Sequence, residues 1–353
     1  MKTAIQFRCS LIFFAVIAWT GSFGKDQDQK KKHIEKNYQI SSSTRLNIEN
    51  KFGKVEVNNW EKDEFSVRIE IVGKGRNEER AQRILDAIAI DINQNSNDIS
   101  FETEIESRKN KNQEGFEINY TVYMPEDNPL YVKNSFGDVT MGDRKGNLEL
   151  NVSYGSMKIG DIEGNAQIRL SFGSGSVGNA VDGNITVKYS SMEIESANTI
   201  EFEQGFSDIE IGEVRNLELE SKYGKVEIEK AHKIEADVHF SGFEIEELTG
   251  SLELDCSYLG DFRVERLAKS FTLLKIDGKF GSYDIGLEPG LNADIDAEFS
   301  FADLKHSSEV KTDFNYRVKE SNKSYYKGKI GDGDPDKMIK VDSRYGNLRL
   351  SID

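Results

Sequence analysis

Apolar and polar residues alternate with a period of two along most of the chain, as in Arg45-Leu-Asn-Ile-Glu49, Phe52-Gly-Lys-Val-Glu-Val57 and Phe65-Ser-Val-Arg-Ile-Glu-Ile71. That is the period of a strand with one buried face. One segment departs from it. Ala81, Ile84, Leu85, Ile88 and Ile92 follow the spacing of a single helical stripe, with Asn77 placed to cap it and Glu78 and Glu79 at the positive end of its dipole. Two further strands, Ile99 to Ile105 and Phe116 to Tyr123, precede a turn bounded by Pro125 and Pro129. The pattern predicts a small α+β capping unit over residues 37–131.

From residue 132 the alternation falls into repeats. An aromatic residue followed by a small turn residue recurs at Phe136, Tyr154, Phe172, Tyr189, Phe206, Tyr223, Phe240 and Tyr258, with looser copies at Phe280 and Phe301. The steps are 18, 18, 17, 17, 17, 17 and 18, then 22 and 21 residues. Self-similarity at a short fixed period signals a stacked, quasi-one-dimensional architecture. In one copy, Leu148, Leu150, Val152, Tyr154, Met157 and Ile159 fall on one face of two short strands. The prolines (125, 129, 289 and 335) all avoid residues 130–288, as they must if every turn hydrogen-bonds to the next. Glycines collect beside the aromatics, where a positive φ suits them. These features predict an all-β fold, a parallel β-helix or solenoid of 17–18-residue units over 132–353, with irregular C-terminal coils and an internal aromatic stack. Either one unit closes a coil, with Phe and Tyr alternating up a single ladder, or two units close a coil of about 35 residues with one ring type on each side, and the alternation favours the second.

The run Asn50-Lys-Phe-Gly-Lys-Val-Glu-Val57, with Trp60 and the strand after it, resembles the opening of the bacterial putative-adhesin family of unknown function. The helix, Tyr120-Thr-Val-Tyr-Met-Pro125, the F/Y-G-x-V units and the ending Lys340-Val-Asp-Ser-Arg-Tyr-Gly-Asn-Leu-Arg-Leu350 are similar to that family as well. The resemblance implies an exported, right-handed β-helix, often encoded beside envelope-stress regulators. It carries no catalytic residues over.

Composition adds a location. Lys2 and Arg8 precede the apolar run Leu11 to Trp19, and Ser22 and Gly24 stand where a signal peptidase needs small residues. Residues 1–24 therefore read as a cleaved signal peptide, and the run is too short to serve well as a membrane span. Residues 25–36 (KDQDQKKKHIEK) lack apolar periodicity and read as a charged, solvated tether. Cleavage removes Cys9 and leaves Cys256 alone, so no internal disulfide is expected and Cys256 reads as a small buried hydrophobe. The full chain carries a net charge of −16, and losing the two basic residues of the signal takes it to −18. So acidic a chain disfavours nucleic acid as partner and favours cations or a basic partner.

Catalytic groupings are scarce. The four histidines (33, 232, 239 and 306) suggest no Ser/His/Asp or Cys/His arrangement, and no phosphate loop or metal-ligand spacing appears. No cofactor is expected, with calcium the one open possibility. Gly331-Asp-Gly-Asp-Pro-Asp-Lys337 resembles the start of a calcium loop but lacks its glycine at position six and has Ser343 at position twelve. The acidic rows are more informative. Glu193, Glu210, Glu227 and Glu244 recur at 17 residues, as do Glu201, Glu218, Glu235 and Glu203, Glu220, Asp237, which continue to Glu253 and Asp255 after a step of 18. They read as a solvated face or as a surface for cations or a basic partner. The expectation is a non-enzymatic envelope protein, periplasmic or surface-exposed, serving as an adhesin or binding scaffold for a protein or glycan. The alternatives are a polysaccharide lyase or hydrolase, in which Asp237 and Asp255 act as acid and base, and an envelope-stress accessory.

Overall fold

The computed structural model describes residues 28–106, 115–333 and 335–353. The expected signal peptide lies outside these residues. The described chain is a parallel β-solenoid. Strand Leu148–Ser153 pairs in parallel with Leu130–Ser135 on one side and Ile162–Ser171 on the other, so residues one unit apart are neighbours. One 17–18-residue unit closes one coil, and the two-unit coil with separate Phe and Tyr ladders is not what forms. The period of a parallel ladder is one coil, and in it residue n meets residue n + 17 directly, as Glu210 meets Glu227.

Each regular coil has three sides, and its corners are legible in the burial pattern. In strand Asp208–Lys222 buried and exposed residues alternate except where two outward residues follow one another, at Gly212-Glu213 and Arg215-Asn216. Tyr223 makes the third corner. Ile209, Ile211, Val214, Leu217 and Leu219 point inward and are almost fully buried. Each such side chain contributes about 1.5–3 kcal/mol by leaving water. A continuous apolar core thus runs the length of the stack.

Both ends break the sequence order. The coil formed by Arg45–Lys51 and Val55–Asn59 lies between Asp98–Ile105 with Gly115–Met124 on one side and Leu130–Ser135 with Val139–Met141 on the other. At the opposite end, Met338–Arg344 and Leu348–Ile352 insert between Leu273–Lys279 with Tyr283–Leu287 and Ala293–Ser300 with Leu304–His306. The last coil of the chain is therefore the penultimate coil of the rod. Antiparallel strands close the ends: Glu64–Gly75 on Gly115–Met124, Ile88–Gln94 on Asp98–Ile105, and Lys323–Ile330 on Ala293–Ser300.

Two local expectations need correction. Residues 28–36 are not a solvated tether, because they belong to strand Asp28–Gln39, antiparallel to Glu64–Gly75. Among the described residues no second strand pairs with its other edge. Ile34 and Tyr38 pack against the core, and Lys31 and Glu35 pair with Glu70 and Arg68 at 3.0 and 3.1 Å. The lysines then face outward on an edge strand, where they discourage further pairing. The helix is shorter than its stripe. It spans Glu78–Asp86, with the Asn77 side chain accepting from the Arg80 N–H and Ala87 at its C-cap. Ile88 and Ile92 belong to the next strand, Ile88–Gln94, where β-branched alternation outcompetes helical spacing.

Candidate functional site

The aromatic repeat forms one ladder, and it lies outside the core. Phe136, Tyr154, Phe172, Tyr189, Phe206, Tyr223, Phe240, Tyr258 and Phe280 stack in that order with centroids 4.7–5.1 Å apart and interplanar angles of 0–10°. Phe52 extends the stack beyond Phe136, and Tyr345 then Phe301 extend it beyond Phe280. The rings are 38–54% exposed. Period-two counting puts Tyr154 inside with Val152, but the backbone at each ring is left-handed, with φ of +52° to +62° at all twelve positions. That turn swings the side chain out of the core.

A bulky residue at positive φ costs on the order of 1 kcal/mol. Asn or Gly would pay less, so the ring must return something, and its two stacked neighbours supply about 0.5–1.5 kcal/mol each. The adjacent glycines serve a different end from the one expected. A Cβ on Gly155 would stand 2.1 Å from the Gly137 carbonyl oxygen, and one on Gly173 would stand 1.9 Å from that of Gly155. Close approach of coil to coil, rather than positive φ, selects glycine there.

The acidic residues stack in register as well. Glu193, Glu210, Glu227 and Glu244 form one row. Glu201, Glu218, Glu235 and Glu253 form a second, which Lys275 continues at 2.8 Å from Glu253. The third row is longer than its sequence spacing shows. Glu203, Glu220, Asp237 and Asp255 run on through Asp277, Asp342 and Glu298. The last three escape sequence reading because the 22-residue unit and the inserted C-terminal coil hide their register. Burial and the neighbouring Asp277 and Glu298 carboxylates push the Asp342 carboxyl above its ordinary range.

Glu193, Glu210, Glu227 and Glu244 line a groove together with Glu195, Glu229, Glu246 and Glu265 on the same side of the rod. Lys225 bridges Glu227 and Glu244 at 2.6 and 3.1 Å. Glu193, Glu195, Glu210, Glu229 and Glu246 have no cation within ion-pair distance among the described residues.

One grouping that the sequence does not reveal joins Asp237, His239 and Ser257. His239 sits one coil below Ser257, with Nδ1 2.6 Å from Ser257 Oγ and Nε2 2.6 Å from Asp237 Oδ1. The partners are those of a nucleophilic triad, for which acyl transfer would also require free N–H donors beside Ser257. The N–H of Tyr258, which follows the serine, is committed to the Lys279 carbonyl at 2.8 Å, and that of Phe240 to the Ser257 carbonyl at 3.1 Å. Neither of these two N–H groups is free to face a substrate.

Cys256 is buried, and desolvation pushes its thiol up to about 12, so it stays protonated and unreactive. In the segment resembling a calcium loop, Asp334 lies outside the described residues. Ser343, at its twelfth place, is buried and donates to the Gly346 carbonyl at 2.8 Å. No group of three or more His, Cys, Asp or Glu side chains among the described residues is arranged to hold a metal. No helix among them is long and apolar enough to cross a membrane.

A family model described as Toastrack DUF4097 matches residues 43–351. A search of curated proteins returns no match. Among solved structures, the chain is similar to a putative cell adhesion protein from Clostridium sporogenes, at 13% identity over 92% of this chain and 100% of that one, with a TM-score of 0.21. It is also similar to a putative adhesin from Parabacteroides distasonis, at 10% identity over 90% and 97%, with a TM-score of 0.32. A third, described as a putative lipid binding protein from the same species, aligns at 11% identity over 90% and 96%, with a TM-score of 0.27. The matched family agrees with the putative-adhesin resemblance read from the sequence.

Proposed function

The chain belongs to the Toastrack family, and we propose that it is an exported, non-enzymatic binding scaffold whose acidic groove receives a basic, extended polypeptide segment. The observation that carries this reading is the set of unpaired carboxylates, Glu193, Glu195, Glu210, Glu229 and Glu246, facing one groove in successive coils. Like charges at a coil spacing of ~4.8 Å repel one another. A partner bringing lysine or arginine along the rod relieves that repulsion in proportion to the charges it supplies. The committed donors around Ser257 support a non-enzymatic role. Export rests on the basic, apolar and small-residue order of residues 1–24.

Titration of the mature chain with an oligolysine peptide tests the reading. Binding is expected to weaken steeply as salt rises and to fall at least about tenfold in the double variant Glu210→Lys, Glu229→Lys. Unchanged affinity in that variant would overturn the groove as the site. The enzymatic alternative makes a separate demand: depolymerisation of a polysaccharide that Asp237→Asn abolishes.

A further inference from the structure

We propose that the aromatic ribbon is the surface through which two copies of this chain pair side by side. The proposal does not depend on the acidic groove. Twelve rings, from Phe52 through Tyr345 to Phe301, lie in one stack with neighbouring planes within 10° of each other. The rings therefore form one continuous stack, each rung close to parallel with the next. At about half exposure it leaves on the order of 1,200 Å² of ring surface open, taking ~150–250 Å² per aromatic side chain. Isolated monomers rarely expose contiguous apolar patches above ~300–600 Å², and a standard interface buries ~800 Å² on each partner.

Stacking restricts what can sit there. Each inner ring has both faces covered by its neighbours, so only ring edges and tyrosine hydroxyls meet solvent. A sugar ring that needs an open aromatic face finds none along the ribbon. A straight partner presenting edges at the same spacing fits, and a second copy has that spacing by construction. A two-fold axis makes such a contact self-complementary.

The ring order gives an independent sign. From Phe136 to Phe301 the types alternate strictly in space, and Tyr345, supplied by the inserted C-terminal coil, stands between Phe280 and Phe301. Sequence order would have put two phenylalanines together. Stacking alone does not ask for alternation, since Phe and Tyr rings stack alike. Alternation sets an outward hydroxyl every second rung, ~9.6 Å apart. With two ribbons displaced by one rung, each tyrosine oxygen meets the positive C–H edge of a phenylalanine.

Charge also favours this strip. The full chain carries −16, so copies repel over most of their surface. The row immediately before the rings contains Lys188, Lys222, Lys279 and Arg344 and no acid, and it stands between the ribbon and the acidic row that runs from Glu203 to Glu298, where Lys188 pairs with Glu203 at 2.9 Å.

Sedimentation equilibrium of residues 25–353 tests the proposal. A reversible dimer is expected, and it should tighten as salt rises from about 50 to 500 mM, because screening removes repulsion while the apolar contact stays. The triple variant Tyr189→Asn, Phe206→Asn, Tyr223→Asn should weaken it at least about tenfold, with asparagine chosen because it accepts left-handed backbone. Loss of three rungs risks unfolding, so Gly205→Arg provides a second arm. A Cβ at Gly205 meets nothing within 4 Å, and the new side chain stands beside Phe206. It should weaken the dimer by a similar factor while leaving oligolysine binding unchanged. A monomer at about 100 μM in all salts, a dimer that salt dissolves, or one that a folded Gly205→Arg protein retains would each overturn the proposal.

Discussion

The middle of the rod and its C-terminal end are built from the same coil but in different chain order. Between Ser174 and Ser257 each coil is followed in space by the next coil in sequence. Beyond Lys279 the neighbour is Met338–Arg344, nearly sixty residues later, and Ala293–Ser300 lies one place further out. The middle can form by successive addition of local units. The end closes only when the chain's last strands enter a slot flanked on both sides. Non-local pairing of this kind must overcome more chain entropy before its contacts form. The end is therefore the region where stability depends on a few residues far apart in sequence.

Truncation after Asp336 should separate the two regions most strongly. It removes Ile339, Val341, Leu348 and Leu350, all buried, and takes one neighbouring strand each from Leu273–Lys279, Tyr283–Leu287, Ala293–Ser300 and Leu304–His306. At about 1.5–3 kcal/mol per buried side chain the loss exceeds what one end of a rod can absorb. Hydrogen exchange should rise from about residue 259 onward while the central coils stay protected, because repeat stacks lose stability locally. Uniform unfolding would show that the two regions are one cooperative unit.

Glycine substitutions sharpen the comparison within the middle. Gly155→Ala forces a Cβ against the Gly137 carbonyl and should cost about 2–4 kcal/mol in denaturant unfolding. Gly205→Ala meets open space and should stay within about 0.5 kcal/mol of the parent or gain slightly. Equal losses would remove close coil approach as the reason for the glycines.

The smallest effect concerns the acidic row at the inserted coil. A carboxyl raised by burial and by Asp277 and Glu298 ionises less readily folded than unfolded. Its ionisation therefore lowers stability as pH rises through the carboxylate range, and protonation below that range restores it. Asp342→Asn should raise the melting temperature by about a degree or two at neutral pH and by nothing in acid. Asp303, held below its ordinary range by Lys319 and Tyr326, has the opposite sign, so its contribution is lost as pH falls.

Much of the middle was legible in the sequence because the repeat there is nearly constant. Steps of 17 and 18 residues give the coil, and the unbroken alternation in Leu217-Glu-Leu-Glu gives its inner face. What the sequence hid follows from two causes. Whether one unit or two closes a coil depends on where the chain turns, and the alternation of Phe and Tyr belongs to the outside of the rod rather than to two ladders. Period-two parity puts the rings inside, because it carries no information about a left-handed residue at the corner. The second cause is topological: nothing local in Lys340 to Leu350 states that this segment enters between two earlier coils. Asp277, Asp342 and Glu298 were missed as a row for the same reason, and so was Tyr345 as a rung.

Cysteine cross-linking across the inserted coil tests the arrangement most directly. In a Cys256→Ser background, Asp277→Cys with Asp342→Cys places the two thiols on adjacent strands, within the Cα separation of ~4.4–6.8 Å that a disulfide needs. Asp277→Cys with Glu298→Cys places them two strands apart, at ~9.6 Å, which is beyond that reach. Insertion of the last coil predicts rapid oxidation of the first pair and none of the second. Oxidation of the second pair, with the first left free, would contradict it.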